Sequence, residues 1–132
     1  MAGLAIRVLV ADDYEPLRRF VSSTIAKLSQ FKLVGEVSDG LEALQKAQEL
    51  KPEMILLDIS LPKLNGFEVA RRIRERIPQL KIILFSENRR FDMAEDALRM
   101  GAYSYLVKSD AGTELASALE AVLQGKRYVS SS

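Results

Sequence analysis

The chain has no cysteine, no histidine and no tryptophan in its 132 residues. Without cysteine it can form no disulfide, and it offers no thiol nucleophile or thiolate metal ligand. Without histidine it has no Ser-His-Asp or Cys-His triad, no zinc finger and no haem held through imidazole. The lack of cysteine fits a reducing cytoplasm, which is the expected location. Neither sign of charge dominates: 19 Lys and Arg stand against 18 Asp and Glu, for a net +1. A domain dedicated to nucleic acid would be strongly basic, so none is expected to bind here. No apolar run approaches the roughly 18 residues of a membrane span. The first ten residues lack the charged start, apolar stretch and cleavage site of a signal peptide, so no membrane contact is expected. The chain has no internal repeat or low-complexity segment, and no interdomain linker before residue 125.

What remains is ordinary for one soluble globular domain: 48% apolar and 28% charged residues. A chain of this length buries roughly two thirds of its unfolded surface and needs no metal or disulfide to fold. The side chains left for chemistry are Asp, Glu, Ser, Thr, Tyr and Lys.

Two hydrophobic patterns alternate. Short β-branched runs occur at Ile6–Val10, Leu33–Val37, Met54–Leu57, Ile82–Phe85 and Tyr103–Val107. Helical spacing fills Tyr14–Leu28, Leu41–Leu50, Phe67–Ile77, Phe91–Met100 and Leu115–Leu123. Asp39 before Gly40 predicts an N-cap for the second helix, and Lys51-Pro52 ends it. Ile77-Pro78 stops the third helix. Gly101 and Gly125 follow the fourth and fifth, where a left-handed cap is expected. The order is βα repeated five times. Connections this short imply an α/β fold: a mainly parallel, doubly wound sheet with helices on both faces. Residues 1–125 form the predicted domain, and 126–132 read as a frayed tail or the start of a linker.

Ligands of such sheets sit beyond the carboxyl ends of the strands, where strand order reverses. The strand ends are therefore informative. The first delivers Asp12-Asp13, the third Asp58, the fourth Ser86 and the fifth Lys108. If the first and third strands are neighbours, the three aspartates crowd together. Two such charges about 5 Å apart repel by roughly 3 kcal/mol at an effective dielectric of about 20. Lys108 can neutralise part of this. A hard divalent cation such as Mg²⁺, which prefers carboxylate and water, can neutralise more. Ser86 and Lys108 could cradle phosphoryl oxygens, with an aspartate as nucleophile. Each residue also has a bland reading. Polar residues commonly follow strands, Asp13 could cap the first helix, Lys108 could be a solvated loop lysine and Tyr105 a packing residue. The arginines Arg71, Arg72, Arg74 and Arg76 read as a solvated helix face, interrupted by Glu75 and backed by Ile73 and Ile77. No P-loop or GxGxxG follows the first strand.

Together these residues resemble the receiver domains of two-component response regulators. The resemblance lies in Asp12-Asp13, in Asp58-Ile59-Ser60-Leu61-Pro62-Lys63-Leu64-Asn65-Gly66, and in Ser86. It continues through Ala97-Leu98, Gly101-Ala102, Tyr105-Leu106 and Lys108, so that it covers about Ile6 to Gln124. It implies a flavodoxin-like three-layer sandwich with strand order 2-1-3-4-5. It implies that Asp58 accepts a phosphoryl group from a sensor histidine kinase. Mg²⁺ would be held by Asp13, Asp58 and the main-chain carbonyl of Ser60, with Asp12 helping through water. Lys108 would pair with a phosphoryl oxygen, Ser86 would turn toward the group, and Tyr105 would move inward behind it. Ser60, Glu87 and Asn88 occupy positions that tune the lifetime of the phosphoryl group. Ser109 stands where many receivers have proline, and Glu87 where a small residue is usual.

The segments Tyr103–Asp110 and Gly125–Ser130 resemble receivers that precede a LuxR-type helix-turn-helix domain. A transcription-factor fragment is the favoured expectation, with homodimerisation on phosphorylation. A stand-alone or pseudo-receiver interaction module is the alternative. An aspartate-nucleophile phosphatase fits less well, because Ser60 stands where that chemistry wants a second acid. The domain is expected not to be an enzyme beyond its own phosphorylation and dephosphorylation.

Overall fold

The computed structural model describes residues 5–87 and 90–130. Asn88, one of the expected tuning positions, lies outside them. The elements run β1 (Ile6–Ala11), α1 (Glu15–Ala26), β2 (Phe31–Val37), α2 (Gly40–Leu50), β3 (Met54–Asp58), α3 (Gly66–Arg76), β4 (Lys81–Ser86), α4 (Phe91–Met100), β5 (Ser104–Val107), a 3-10 turn (Lys108–Asp110), α5 (Ala111–Leu123) and β6 (Tyr128–Val129). All strand pairs are parallel, in the order β2-β1-β3-β4-β5-β6.

Side chains of a strand point alternately to opposite faces, and here the alternation builds two cores. Leu9, Ile55, Leu57, Ile82, Leu84 and Tyr105 face α2, α3 and α4. Val8, Val10, Met54, Leu56, Ile83, Phe85 and Leu106 face α1 and α5. This is why the strands read as continuous apolar runs. In the central strands β3 and β4, with both faces covered, polar residues stand only at the strand ends.

The helix punctuation largely follows the sequence. The Asp39 carboxylate accepts the Glu42 N–H at 2.8 Å, and Gly101 takes a positive φ of 111° at the end of α4. The reading of Asp13 as a cap does not hold. Tyr14 is the N-cap and makes no side-chain capping bond, while Asp12 Oδ1 takes the Tyr14 N–H at 2.8 Å. The helix is instead entered through Pro16, which has no N–H to satisfy. α5 starts at Ala111, four residues before the expected Leu115. Gly112 and Thr113 are weak helix formers and hid that first turn. The largest difference is at the end, where two residues of the aperiodic tail form a sixth strand.

Candidate functional site

The order places β1 and β3 side by side, with β2 lying outward on one side and β4 on the other. This is where strand order reverses, and it opens a crevice at the carboxyl ends. Register then fixes the levels. Ala11 pairs with Leu57, so Asp12 comes level with Asp58. Phe85 pairs with Asp58, so Ser86 stands one residue higher. Ser86 pairs with Val107, so Lys108 stands one higher again. The rim rises by steps and surrounds Asp58.

Asp12 and Asp58 are buried while Asp13 is exposed. Carboxylate oxygens of the three lie within 4.8 Å of one another. Lys108 Nζ bridges the two buried members, 3.2 Å from Asp12 Oδ2 and 3.2 Å from Asp58 Oδ1. The Ser60 N–H donates to the same Asp58 oxygen at 3.0 Å. Asp58 Oδ2 is buried and accepts no hydrogen bond. Asp58 as a residue is only 1% exposed, so this orphaned oxygen is costly unless a ligand reaches it.

The electrostatics follow from this packing. Burial, then the neighbouring Asp12 charge, push the Asp58 carboxyl above its ordinary 3.8, against the Ser60 N–H and Lys108. Burial disfavours the charged form of Lys108. The Asp58 and Asp12 charges outweigh it and hold the ammonium above 10.5. The lysine therefore stays a cation, while Asp58 is a carboxylate under pressure.

Neighbouring backbone locks the site. Asp12 N donates to Val37 O at 3.1 Å. Arg18 donates to Asp12 O at 2.9 Å and pairs with Glu36 at 3.3 Å. Ile59 N donates to Phe85 O and Gly66 N to Ile59 O, at 2.9 and 2.8 Å. Gly66 must be glycine, because a Cβ there would overlap the carbonyl oxygen of Asp58. Lys63 takes a positive φ of 69° and ties this loop to Asp39 at 3.3 Å.

The remaining expected residues have clear places. Ser86 is buried at the end of β4. Glu87 is exposed just beyond it. Tyr105 is already inward: it is 2% exposed, with its hydroxyl 4.0 Å from Met93 Sδ. Of the α3 arginines, Arg74 donates to the Pro78 carbonyl just beyond the helix at 2.9 Å, and two others are engaged on the helix itself. Arg71 and Arg72 hydrogen-bond to Glu68, which holds that carboxyl down to about 2. Arg18, Tyr128 and Ser130 were not anticipated. Arg18 lies in an amphipathic helix with nothing in the spacing to mark it. Tyr128 and Ser130 lie too close to the end for a periodicity to show.

Fold and rim together define a doubly wound α/β domain whose carboxyl edge gathers three carboxylates, a lysine and a serine around one buried aspartate. Similarity to known proteins narrows this class. Residues 8–120 match the family described as the response regulator receiver domain. The chain is 32% identical over 125 residues to response regulator GacA of Pseudomonas viridiflava, covering 95% of this chain and 58% of that protein. It is 34% identical over 126 residues to response regulator protein VraR of Staphylococcus aureus strain Mu3, covering 93% and 59%. The crystal structure of a LuxR-family two-component response regulator from Aurantimonas sp. SI85-9A1 superposes with a TM-score of 0.88 at 30% identity, covering 95% of this chain and 89% of that one. The chain belongs to the response regulator receiver family. It spans a little under three fifths of the length of these curated relatives. No described helix is long and apolar enough to cross a membrane.

Proposed function

We propose that this domain receives a phosphoryl group on Asp58 from a phosphohistidine of a sensor histidine kinase. The observation that carries this reading is the buried Asp58 carboxylate. Lys108 stands 3.2 Å from one oxygen, and the other oxygen has no partner. One Asp58 oxygen attacks phosphorus, the bond to the donor nitrogen breaks, and its electron pair leaves with the imidazole. An aspartyl phosphate results. These residues hold no histidine, so the donor lies outside this domain. Hydrolysis, by water attacking phosphorus, returns Asp58. Beyond this self-modification the domain turns over no substrate.

Three carboxylates with one cation among them suit Mg²⁺, and the orphaned Asp58 oxygen fits a metal or phosphoryl ligand. Asp12, Asp13, Asp58 and the main-chain carbonyl of Ser60 would hold it. When bound, it supplies positive charge to the transferring oxygens. Lys108 supplies a fixed ammonium to a phosphoryl oxygen, and Ser86 a hydroxyl donor from the next strand. Tyr105 packs behind them and responds to Ser86. Ser60 and Glu87 lie beside Asp58 and Ser86 in sequence and tune the lifetime of the group, as does Asn88, which lies outside the described residues. Tyr14, 61% exposed beside the acidic pair, offers apolar surface to a docking kinase.

We infer further that the domain works in the cytoplasm and dimerises on phosphorylation. It controls a DNA-binding output carried outside these residues and binds no nucleic acid or membrane itself. The similarity to a LuxR-family regulator supports this. Incubation with acetyl phosphate and Mg²⁺ followed by intact mass measurement tests the central claim. Wild type gains one phosphoryl group and Asp58→Asn gains none. No gain on wild type, or the same gain on the variant, sinks it.

A further inference from the structure

β5 would be an edge strand without the residues after α5. α5 ends in a Schellman turn: Gly125 N donates to Val122 O at 2.9 Å and Lys126 N to Ala121 O at 2.8 Å. Gly125 has a φ of 79°, which only glycine adopts freely. The turn sends the chain back along β5. Tyr128 N then donates to Tyr103 O and Ser130 N to Tyr105 O, both at 3.0 Å. The next bond departs from a parallel ladder. The Val107 N–H donates at 2.8 Å to the side-chain oxygen of Ser130, where a backbone carbonyl would continue the strand. Ser130 thus ends β6 and anchors Val107. On the sheet's other side Val107 lies level with Ser86, and the next residue is Lys108.

A second anchor holds the same segment. The Tyr128 hydroxyl hydrogen-bonds to Glu114 on α5, and its ring is half-buried against the α1/α5 core. The added strand is only two residues long. A segment this short, held at an edge by a few hydrogen bonds, belongs to the part of a fold that opens locally.

We propose that residues 128–130 are a latch on β5, and that Ser130 is a positioning residue for Lys108. The proposal rests on the reading of Asp58 as phosphoryl acceptor. Lys108 has to reach Asp58 from the start of the 3-10 turn that follows β5, and its height is set by Val107. With Ser130 in place, Val107 is held from both edges of its strand. With Ser130 gone, one edge is free and Lys108 meets the phosphoryl oxygens less well. Coupling between two sites is reciprocal. If the latched state favours a loaded Asp58, a loaded Asp58 must favour the latched state. The tail then reports the state of the site to whatever lies beyond it.

The experiment uses the full chain and beryllofluoride with Mg²⁺ as the phosphoryl analogue. Wild type, Ser130→Ala and Ser130→Thr are titrated, first with Mg²⁺ alone and then with the analogue. The ratio of analogue affinity to Mg²⁺ affinity falls about 5- to 10-fold in Ser130→Ala, at the low end of ordinary site coupling. Ser130→Thr keeps the hydroxyl and restores the ratio. Amide exchange at Tyr128 and Ser130 slows when wild type is loaded. A Ser130 that merely stabilised the fold would lower the melting temperature and leave the ratio alone. An unchanged ratio in Ser130→Ala, no rescue by Thr, or unaltered exchange on loading overturns the latch while leaving Asp58 as acceptor. Wild type that fails to bind the analogue overturns both.

Discussion

Asp13→Asn tests the charge crowding directly, and the metal decides its sign. Without metal the rim holds Asp12 and Asp58 bridged by Lys108, a group with one net negative charge. Asp13 adds another within 4.8 Å. Two unit charges 4.8 Å apart repel by about 3.5 kcal/mol at an effective dielectric of about 20, and by about 0.9 kcal/mol in water. Asp13 is exposed, so its repulsion lies near the lower figure. Neutralising it stabilises the metal-free domain by about 1 kcal/mol, or about 3–5 °C in melting temperature for a chain of this size. Mg²⁺ reverses the order. A ligand at about 100 times its Kd adds about 2.7 kcal/mol to the folded state, and the variant, lacking one carboxylate, binds it more weakly. Thermal melts in chelator and in saturating Mg²⁺ therefore cross: variant above wild type in the first, below it in the second. A variant that melts below wild type in chelator refutes the crowding argument. A variant that gains as much from Mg²⁺ as wild type removes Asp13 from the metal site.

Asp58 also leaves a mark on the pH dependence. Its carboxyl is raised above 3.8 by burial and then by Asp12, so the folded state keeps a proton that the unfolded chain has lost. Its contribution to metal-free stability then falls as pH rises from 3.8 through the raised folded value, and levels off above it. Urea unfolding in chelator reads this as wild-type minus Asp58→Asn stability, and a difference that grows with pH in that window contradicts it. Gly66→Ala drives a methyl into the Asp58 carbonyl and costs on the order of 1–3 kcal/mol, with slower phosphorylation of Asp58. An unshifted urea midpoint counts against that packing argument.

The parts legible in the sequence are those that a period or a single residue type enforces. Strands buried on both faces must be apolar throughout, so Met54–Leu57 could be recognised as a strand and Asp58 as its end. Helix stops are legible where Gly or Pro takes part, as at Gly101 and Pro78, and not at α1, which ends at Ala26 with neither. The proximity of the aspartates was conditional on β1 and β3 being neighbours, which periodicity cannot say and pairing shows. What stayed hidden has no local signal. A two-residue strand has no period, so β6 read as tail. Asp13 and Asp12 look equivalent as helix caps, and only the turn in which Asp12 takes the Tyr14 amide tells them apart. Tyr105 alternates with Leu106 and so lies on the α4 face, buried; a movement coupled to Asp58 is not something a period of two can encode.

Charge accounting at the rim indicates where a signal must travel. Three carboxylates and one ammonium leave two negative charges there, which a single divalent cation offsets. The proposed phosphorylation would convert the Asp58 monoanion into a group carrying about two, and would restore a negative charge that such a metal had cancelled. Among the described residues of the rim, Lys108 is the cation placed to meet it, 3.2 Å from Asp58 before the charge appears. Asp12 follows β1 and Asp58 ends β3, two strands each paired along both edges, and neither can shift without disturbing the centre of the sheet. Lys108 follows a four-residue strand whose outer edge is held only by β6. A new charge therefore does its mechanical work where the sheet resists least, on β5 and on the short strand beside it.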